Sequence, residues 1–357
     1  MKNKKMKISG IVCLAMLFVL TGCGGTDPAE KNQASDGSRQ ETEKQSSTEK
    51  ESADDGFTIR VGVNSGDQNQ VLKIVDEHTG LFSNKGIELE VTEFANGINT
   101  IDALELGQLD VGLFADYAGV NRFGNTVGNT ELKAFTQFYV TDQSFLYVNP
   151  EHISQPEDLY QANLVSCAGV VYEYYYGKLF EKYGIDASKI TLKNVGSTQE
   201  ALALAAQGTG DSFWANAQTK TMFEKYGWEK YVSIGDIGAT QYAFLIAKDS
   251  YLKEHQEDVI RYLETSEEGI TYITEHLDEV AQWVEDELGL DKDLYISSWQ
   301  GVEHGFGFSK EAYEDLNNVK SWCYENGKFD TDFDISEFIN TDALEALEPD
   351  KVTWKTK

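Results

Sequence analysis

The sequence predicts an α/β protein built as two similar lobes, each a mostly parallel sheet flanked by helices, with two crossovers of the chain between them. Three observations carry this. From Phe57 onward, strand-like and helix-like stretches alternate with short connections, the pattern of a parallel sheet. Residues 107–117 read GQLDVGLFADY, the form of a helix end, a tight turn, a short buried strand and a new helix start. Gly208 and Asp211 then repeat the spacing of Gly107 and Asp110, each pair following an Ala/Leu-rich helical run. Such a turn also joins helix to strand in α/β domains that bind nothing, so the echo speaks to architecture first.

The elements follow in order. Residues 58–63 alternate into a strand, and Asn64-Ser65-Gly66-Asp67 is a turn opening a helix that runs to about Thr79 and stops at Gly80. A second strand covers 87–94, a helix from Gly97 and Asn99 reaches Leu106, and a third strand covers 110–115. After a strand at 132–139, Thr141-Asp142-Gln143 marks the first crossing between lobes. The second lobe reads as strand 164–167, the turn Ala168-Gly169, helix 171–183, strand 190–195, helix 198–206 and strand 211–215. Ser197 caps the second of these helices, with Glu200 at capping-box spacing. The return crossing fits 234–240, and 242–247 rejoins the first lobe. Everything from Ser250 is mostly helical and acidic, with Trp283, Trp299, Trp322 and Tyr324 as packing residues. The lobes are thus 57–140 with 241–357, and 141–240.

The start of the chain is an address. Lys2, Lys4, Lys5 and Lys7 form a basic head, residues 8–20 are mostly apolar and too short to favour a spanning helix, and Leu20-Thr21-Gly22-Cys23 follows. This resembles a bacterial lipoprotein signal, which implies cleavage after residue 22 and diacylglycerol on the Cys23 sulfur. With each buried methylene worth about 0.8 kcal/mol, two or more acyl chains anchor stably where one does not. Residues 24–56 carry no large apolar residue and cannot bury enough surface to offset ordering, so 23–56 reads as a lipidated flexible tether.

Sixty Asp and Glu against 30 Lys and Arg give a net charge of −30, and −34 once the four signal lysines are removed. That sign excludes a nucleic-acid partner, because phosphate contacts want a basic surface. Of four cysteines, Cys13 leaves with the signal and Cys23 takes the lipid. Cys167 and Cys323 either pair or remain buried thiols; their spacing does not decide.

The order of these motifs carries a resemblance. A strand into a cleft turn, Leu-x-x-Gly-x-x-Asp into a strand, a crossover, Asp158-Leu159 before a strand ending at Gly169, then Gly208-x-x-Asp211 into Trp214, is similar to substrate-binding proteins of ABC importers. Among them it most resembles the nitrate, sulfonate and taurine type, which shares its fold with thiamine-pyrimidine-precursor binders. The resemblance implies a two-lobed, periplasmic-binding-protein-like fold of type II, a hinged clamp that closes on a small solute. It implies a permease and its ATPase as partners, a monomer, no cofactor and no covalent chemistry. Ligand must then touch both lobes in the closed form, since only differential affinity shifts the equilibrium.

By position, the candidate contacts are Ser65, Gly66, Asp67 and Gln68 after the first strand, and Ala115, Asp116 and Tyr117 after the third. In the second lobe they are Gly169, Val170, Val171 and Tyr172, then Trp214, Ala215 and Asn216, with Tyr242 near the return crossing. Asp116 either contacts solute or caps the helix after it. Trp214 either lines the cleft or lies beneath it. Oxyanion-binding relatives follow the second-lobe glycine with hydroxyl residues, whereas Val170 and Val171 stand here. With Asp67, Asp116 and Glu173 near the cleft and no Lys or Arg at these positions, an aromatic or amine-bearing solute fits at least as well as a bare sulfonate, taurine or nitrate.

The competing classes have less to stand on. The five histidines form no His-Glu-x-x-His pair and no Gly-x-Ser-x-Gly elbow occurs. The cysteine cluster of pyrimidine-synthesising relatives is missing. Asp330, Asp332 and Asp334 resemble the start of a calcium loop, but Ile335 takes the place that needs glycine, so no metal is expected. A surface lipoprotein that binds a protein partner remains the alternative.

Overall fold

A computed structural model describes residues 56–63, 67–94, 97–216 and 219–355. The expected signal, Cys23 and the tether up to Asp55 lie outside the described residues, as do Ser65 and Gly66. The first stretch of chain gives β1 (Phe57–Val63), α1 (Gln68–Thr79), β2 (Ile87–Glu93), α2 (Gly97–Glu105), β3 (Val111–Ala115), α3 (Asp116–Thr126) and β4 (Leu132–Thr141). It crosses over into β5 (Ser144–Val148), β6 (Val165–Cys167), α4 (Tyr172–Tyr183), β7 (Lys193–Val195), α5 (Thr198–Ala206), β8 (Ser212–Asn216), α6 (Lys220–Glu224) and β9 (Glu229–Ser233). It returns as β10 (Gln241–Lys248) and continues through α7 (Asp249–Glu254), α8 (Gln256–Glu275), α9 (Leu277–Leu288) and α10 (Lys292–Gln300). β11 (Glu303–Gly307), α11 (Lys310–Glu325) and α12 (Asp342–Leu347) complete it.

The first lobe is built on one sheet of order β11-β4-β10-β3-β1-β2. β1 pairs in parallel with β2 and β3, but β10 runs antiparallel to both its neighbours, β3 and β4, and β11 is antiparallel to β4. The second lobe has the triplet β8-β5-β9 and the pair β6-β7, joined by a parallel bridge from Leu164 to Ser212. β5 is antiparallel to both β8 and β9. Most strands in each lobe therefore point one way, as expected. The sheets are nevertheless mixed in pairing, because the strand entering each lobe from the other is inserted head-to-tail in its middle.

Local chemistry explains the boundaries. α1 begins at Asp67, whose carboxylate accepts from the amides of Asn69 and Gln70, and ends at Gly80 with φ of 74°. α5 is capped by Ser197, which accepts from the Glu200 amide, while the Glu200 carboxylate reaches back to the Gly196 amide. The strand expected over 190–195 is only three residues long, since residues 187–189 form a 3-10 turn. β9 and β11 were not legible: EHGFG has two glycines and no alternation, so only pairing with β4 makes it a strand.

The Gly-x-x-Asp echo is real and structural. Gly107 and Gly208 both take positive φ, 72° and 62°. The backbone N–H groups of Asp110 and Asp211 then donate to the carbonyls of Arg60 and Asn163, each at 2.9 Å, and each carboxylate accepts from that same partner's amide. The two turns clamp the starts of β3 and β8, the strand ends away from the helix N-termini. Asp332 pairs with Lys320, and Asp334 caps the turn at residues 335–338, so both carboxylates have structural roles. Among the described residues no helix is long and apolar enough to cross a membrane.

Candidate functional site

The strands of both lobes deliver their carboxyl ends, and the following helices their N-termini, to one cavity of about 330 Å³. The first lobe contributes Asp67 and Gln68 at the start of α1, Gly97 at the start of α2, and Phe114, Ala115 and Ala118 around the start of α3. Tyr139 and Thr141 of β4 and Gln241 of β10 close that side. The second lobe contributes Ser144, Cys167 and Asn216 from strands, with Val170, Val171 and Tyr172 at α4 and Gly196, Ser197 and Thr198 at α5. Ser298 and Val302 reach in from the α10–β11 turn.

Helix N-termini from both lobes turn the positive ends of their dipoles towards this space. The hydroxyls of Ser144, Ser197 and Thr198 add donors. Asp67 is the one charged side chain among the described lining residues; no Lys, Arg or His is in that set. Leu113, Phe114, Val170, Val171 and Val302 give the wall an apolar half. The arrangement suits a small polar or zwitterionic solute with an apolar body.

Of the positions singled out by sequence, Asp67, Gln68, Ala115, Val170, Val171, Tyr172 and Asn216 border the cavity. Others do not, for identifiable reasons. Trp214 is completely buried, because its strand position faces α4, where it meets Tyr175 and Tyr176 edge-on. Tyr117 is also buried, and its hydroxyl donates to Glu173 Oε2 at 2.9 Å. Gly169 sits in the turn before α4 with φ of 73°, packed against Ile98. Ala215 faces inward with the second-lobe core. Tyr242 is half-buried and stacks on Phe244, leaving its neighbour Gln241 to face the cavity.

Asp116 is buried and does not border the cavity, and the N-cap of α3 is Ala115. Its carboxylate accepts from the amides of Tyr117 and Tyr242, tying α3 to the start of β10. Against it lies Asp315 of α11, whose Oδ2 is buried with no donor facing it. A proton on Asp315, donated to Asp116, resolves both. Burial raises the Asp116 pKa; burial and then the Asp116 charge raise that of Asp315 well above the carboxylate range. Raised carboxyl pKa values stabilise below the unfolded value, about 4, and that contribution is lost as pH climbs through the folded values. Stability should therefore fall between pH 4 and pH 8, and fall less in Asp315→Asn, which keeps a donor towards Asp116. Urea unfolding at both pH values checks this; equal slopes would mean the pair shares no proton.

The lobes also touch beside the cavity. Glu173 of α4 accepts from Gly169 N with Oε1 and from Lys328 Nζ, at 2.7 Å, with Oε2. Trp322 of α11 donates to Glu181 at 3.1 Å and meets Tyr174 edge-on. Cys167 and Cys323 are both free thiols.

Sequence reasoning had placed Ser197 only as a cap and passed over Thr198, although Gly196-Ser197-Thr198 follows β7 just as residues 169–172 follow β6. Ser197 and Thr198 thus bring hydroxyls to the cavity where Val170 and Val171 bring none. Nothing local could have indicated Ser298 or Val302, which arrive from a distant turn.

No curated protein sequence matches the chain. Among solved structures it is similar to the periplasmic aliphatic sulphonate binding protein SsuA from Escherichia coli, with a TM-score of 0.67 and 17% identity over 79% of this chain and 92% of that one. It is similar to the alkanesulfonate-binding protein SsuA from Xanthomonas axonopodis pv. citri bound to MOPS, with a TM-score of 0.65 and 14% identity over 77% and 94%. The desulfurization enzyme DSZB is a further likeness, at a TM-score of 0.63 and 11% identity over 82% and 99%. The expected two-lobed, periplasmic-binding-protein-like fold is thus the fold observed, and it serves binding proteins and an enzyme alike. The model for NMT1/THI5 like proteins matches residues 68–280, more than half of the sequence, and the chain belongs to that NMT1/THI5-like family.

Proposed function

We propose that the protein is an extracytoplasmic solute-binding lipoprotein of an ABC importer, which captures a small organic solute between its lobes and delivers it to a permease and its ATPase. In this reading residues 1–22 are the signal, Cys23 carries the lipid, 23–56 is the tether, and lobes 57–140 with 241–357 and 141–240 close as a monomer. The observation that carries it is the cavity itself, walled by helix N-termini of both lobes. A solute there bridges them and stabilises the closed form.

An enzyme of this fold would need an activated group, and Cys167 is the nucleophile within reach. Burial, and then the Glu200 charge, push its thiol up to about 11. At neutral pH the thiolate is scarce, which is the opposite of activation. The solute is a sulfonate such as taurine, or an aromatic or amine-bearing relative: donors at the helix N-termini suit an anionic end and Asp67 suits an amine.

Thermal unfolding against nitrate, taurine, alkane- and arylsulfonates, thiamine pyrimidine precursor, polyamines and aromatic amines tests this. A solute at 100 times its dissociation constant should stabilise by about 2.7 kcal/mol, several degrees for a protein of this size. No shift with any class, together with binding to a protein partner, would favour the surface-lipoprotein alternative.

A further inference from the structure

We infer that Gln68 presents its side-chain oxygen to the solute as a fixed acceptor, held that way by His304, so that this corner of the cavity selects a solute bearing an N–H donor. The inference rests on the solute-binding reading and goes beyond it by assigning a chemical polarity to one end of the site.

The argument starts at the carbonyl of Trp299, which can only accept a hydrogen bond. His304 Nε2 lies 3.0 Å from it and therefore carries the imidazole proton. The ring is stacked on Trp299, with centroids 3.7 Å apart and planes within 18°, and in this orientation each nitrogen faces one partner. Burial lowers the His304 pKa to about 4, the Trp299 carbonyl opposing it, and the ring is neutral at pH 7. Nδ1 is then a bare acceptor. Gln68 lies 3.2 Å from that nitrogen through its amide, and only the NH₂ end of the amide can face a lone pair. The oxygen is left pointing elsewhere, accepts from no described residue, and belongs to a side chain that borders the cavity.

The surroundings reinforce this polarity. Asp67 stands next to Gln68 at the cavity edge, and its carboxylate already takes up two of the donors at the start of α1. The α1 corner therefore offers acceptors. Across the cavity, the Ser197 and Thr198 hydroxyls at the start of α5 offer donors. A solute is oriented between them, its N–H group towards α1 and its acceptor or anionic end towards α5. His304 is a positioning residue here, acting through the Gln68 amide.

Matched probes test the assignment on the full-length protein: taurine against 1-propanesulfonate, and 4-aminopyridine against 4-(dimethylamino)pyridine. In at least one pair the donor-bearing probe should bind about tenfold tighter, the value of one hydrogen bond. Gln68→Met, similar in length but without the acceptor, should bring the aminopyridine ratio close to one and lower the taurine ratio, part of which Asp67 retains. His304→Phe keeps a ring on Trp299 yet frees the amide to rotate, and should lower the ratio about threefold without changing the melting temperature of the free protein as much as a core substitution does. Nitrogen-15 spectra should show His304 as the Nε2–H tautomer at pH 7. An Nδ1–H tautomer, or equal affinities within both pairs, overturns this inference while leaving the solute-binding reading intact. Failure of every probe, including all sulfonates and amines of the wider panel, overturns both.

Discussion

Trp214→Ala is expected to lower the unfolding free energy by about 3–5 kcal/mol, the cost of emptying a large aromatic site in a packed core. The indole is completely buried, with Tyr175 and Tyr176 edge-on at 5.3 and 5.9 Å between ring centroids. Domains commonly have about 5–15 kcal/mol in total, so this is a large share. Trp214→Phe should cost distinctly less than the alanine change. The indole Nε1 is buried without a hydrogen-bond partner among the described residues, so phenylalanine forfeits volume but none of the described hydrogen bonds. Urea unfolding of the three proteins checks the order. If the alanine variant were as stable as the parent yet lost solute affinity, Trp214 would line the cleft after all.

The second large effect concerns closure. A Cβ at Gly169 would lie 2.2 Å from Ile98 Cδ1, and Ile98 belongs to α2 of the other lobe. Gly169→Ala should therefore carry two separable penalties. Its positive φ of 73° costs about 1–2 kcal/mol of stability whether the lobes are open or closed. The clash exists only when they meet; Ile98 Cδ1 is the free end of its side chain and must turn aside, an off-rotamer cost of about 0.5–1.5 kcal/mol that reduces the closed fraction and weakens solute binding about twofold to tenfold. Ile98→Ala added to Gly169→Ala should restore affinity but not thermal stability. Calorimetric binding and melting curves on the single and double variants separate the two, and a double variant that binds no better than the single would remove Ile98 from the account.

How much of this was readable in the sequence depends on the range of the interaction involved. Helix starts and stops written in single residues, such as Asp67, Ser197 and Gly80, were legible because their chemistry is local. So were the parallel pairings of β1 with β2 and β3 and of β6 with β7, which follow from the alternation of strand and helix; the antiparallel insertions of β5 and β10 were not. The direction in which Trp214 faces was not legible: the three middle residues of SFWAN are all apolar and buried on both faces, so period-two reasoning assigns neither to the cavity. Asp116 shows the same limit in another form. Its carboxylate is committed to the amide of Tyr242, 126 positions away, and to the side of Asp315, neither of which any local pattern announces. That a cavity gathers at the helix N-termini was legible because the rule belongs to the topology, whereas the Ser197 and Thr198 hydroxyls border it from a different turn, after Gly196.

The insertion of β10 between β3 and β4 also governs the order in which the molecule can be assembled. β3 and β4 are never hydrogen-bonded to each other; both pair with β10, from Gln241 to Lys248. The first 85 or so residues of the fold therefore hold an incomplete sheet until a strand more than 100 positions downstream has been made and threaded into the gap. Contacts of such long sequence separation are slow to form. A chain emerging N-terminus first keeps its leading half unsealed, and the second lobe, whose strands are contiguous in sequence, is the part able to gather early. β10 is thus the keystone of the first-lobe sheet: β3 and β4 cannot be joined until the whole region between β4 and β10 has been made.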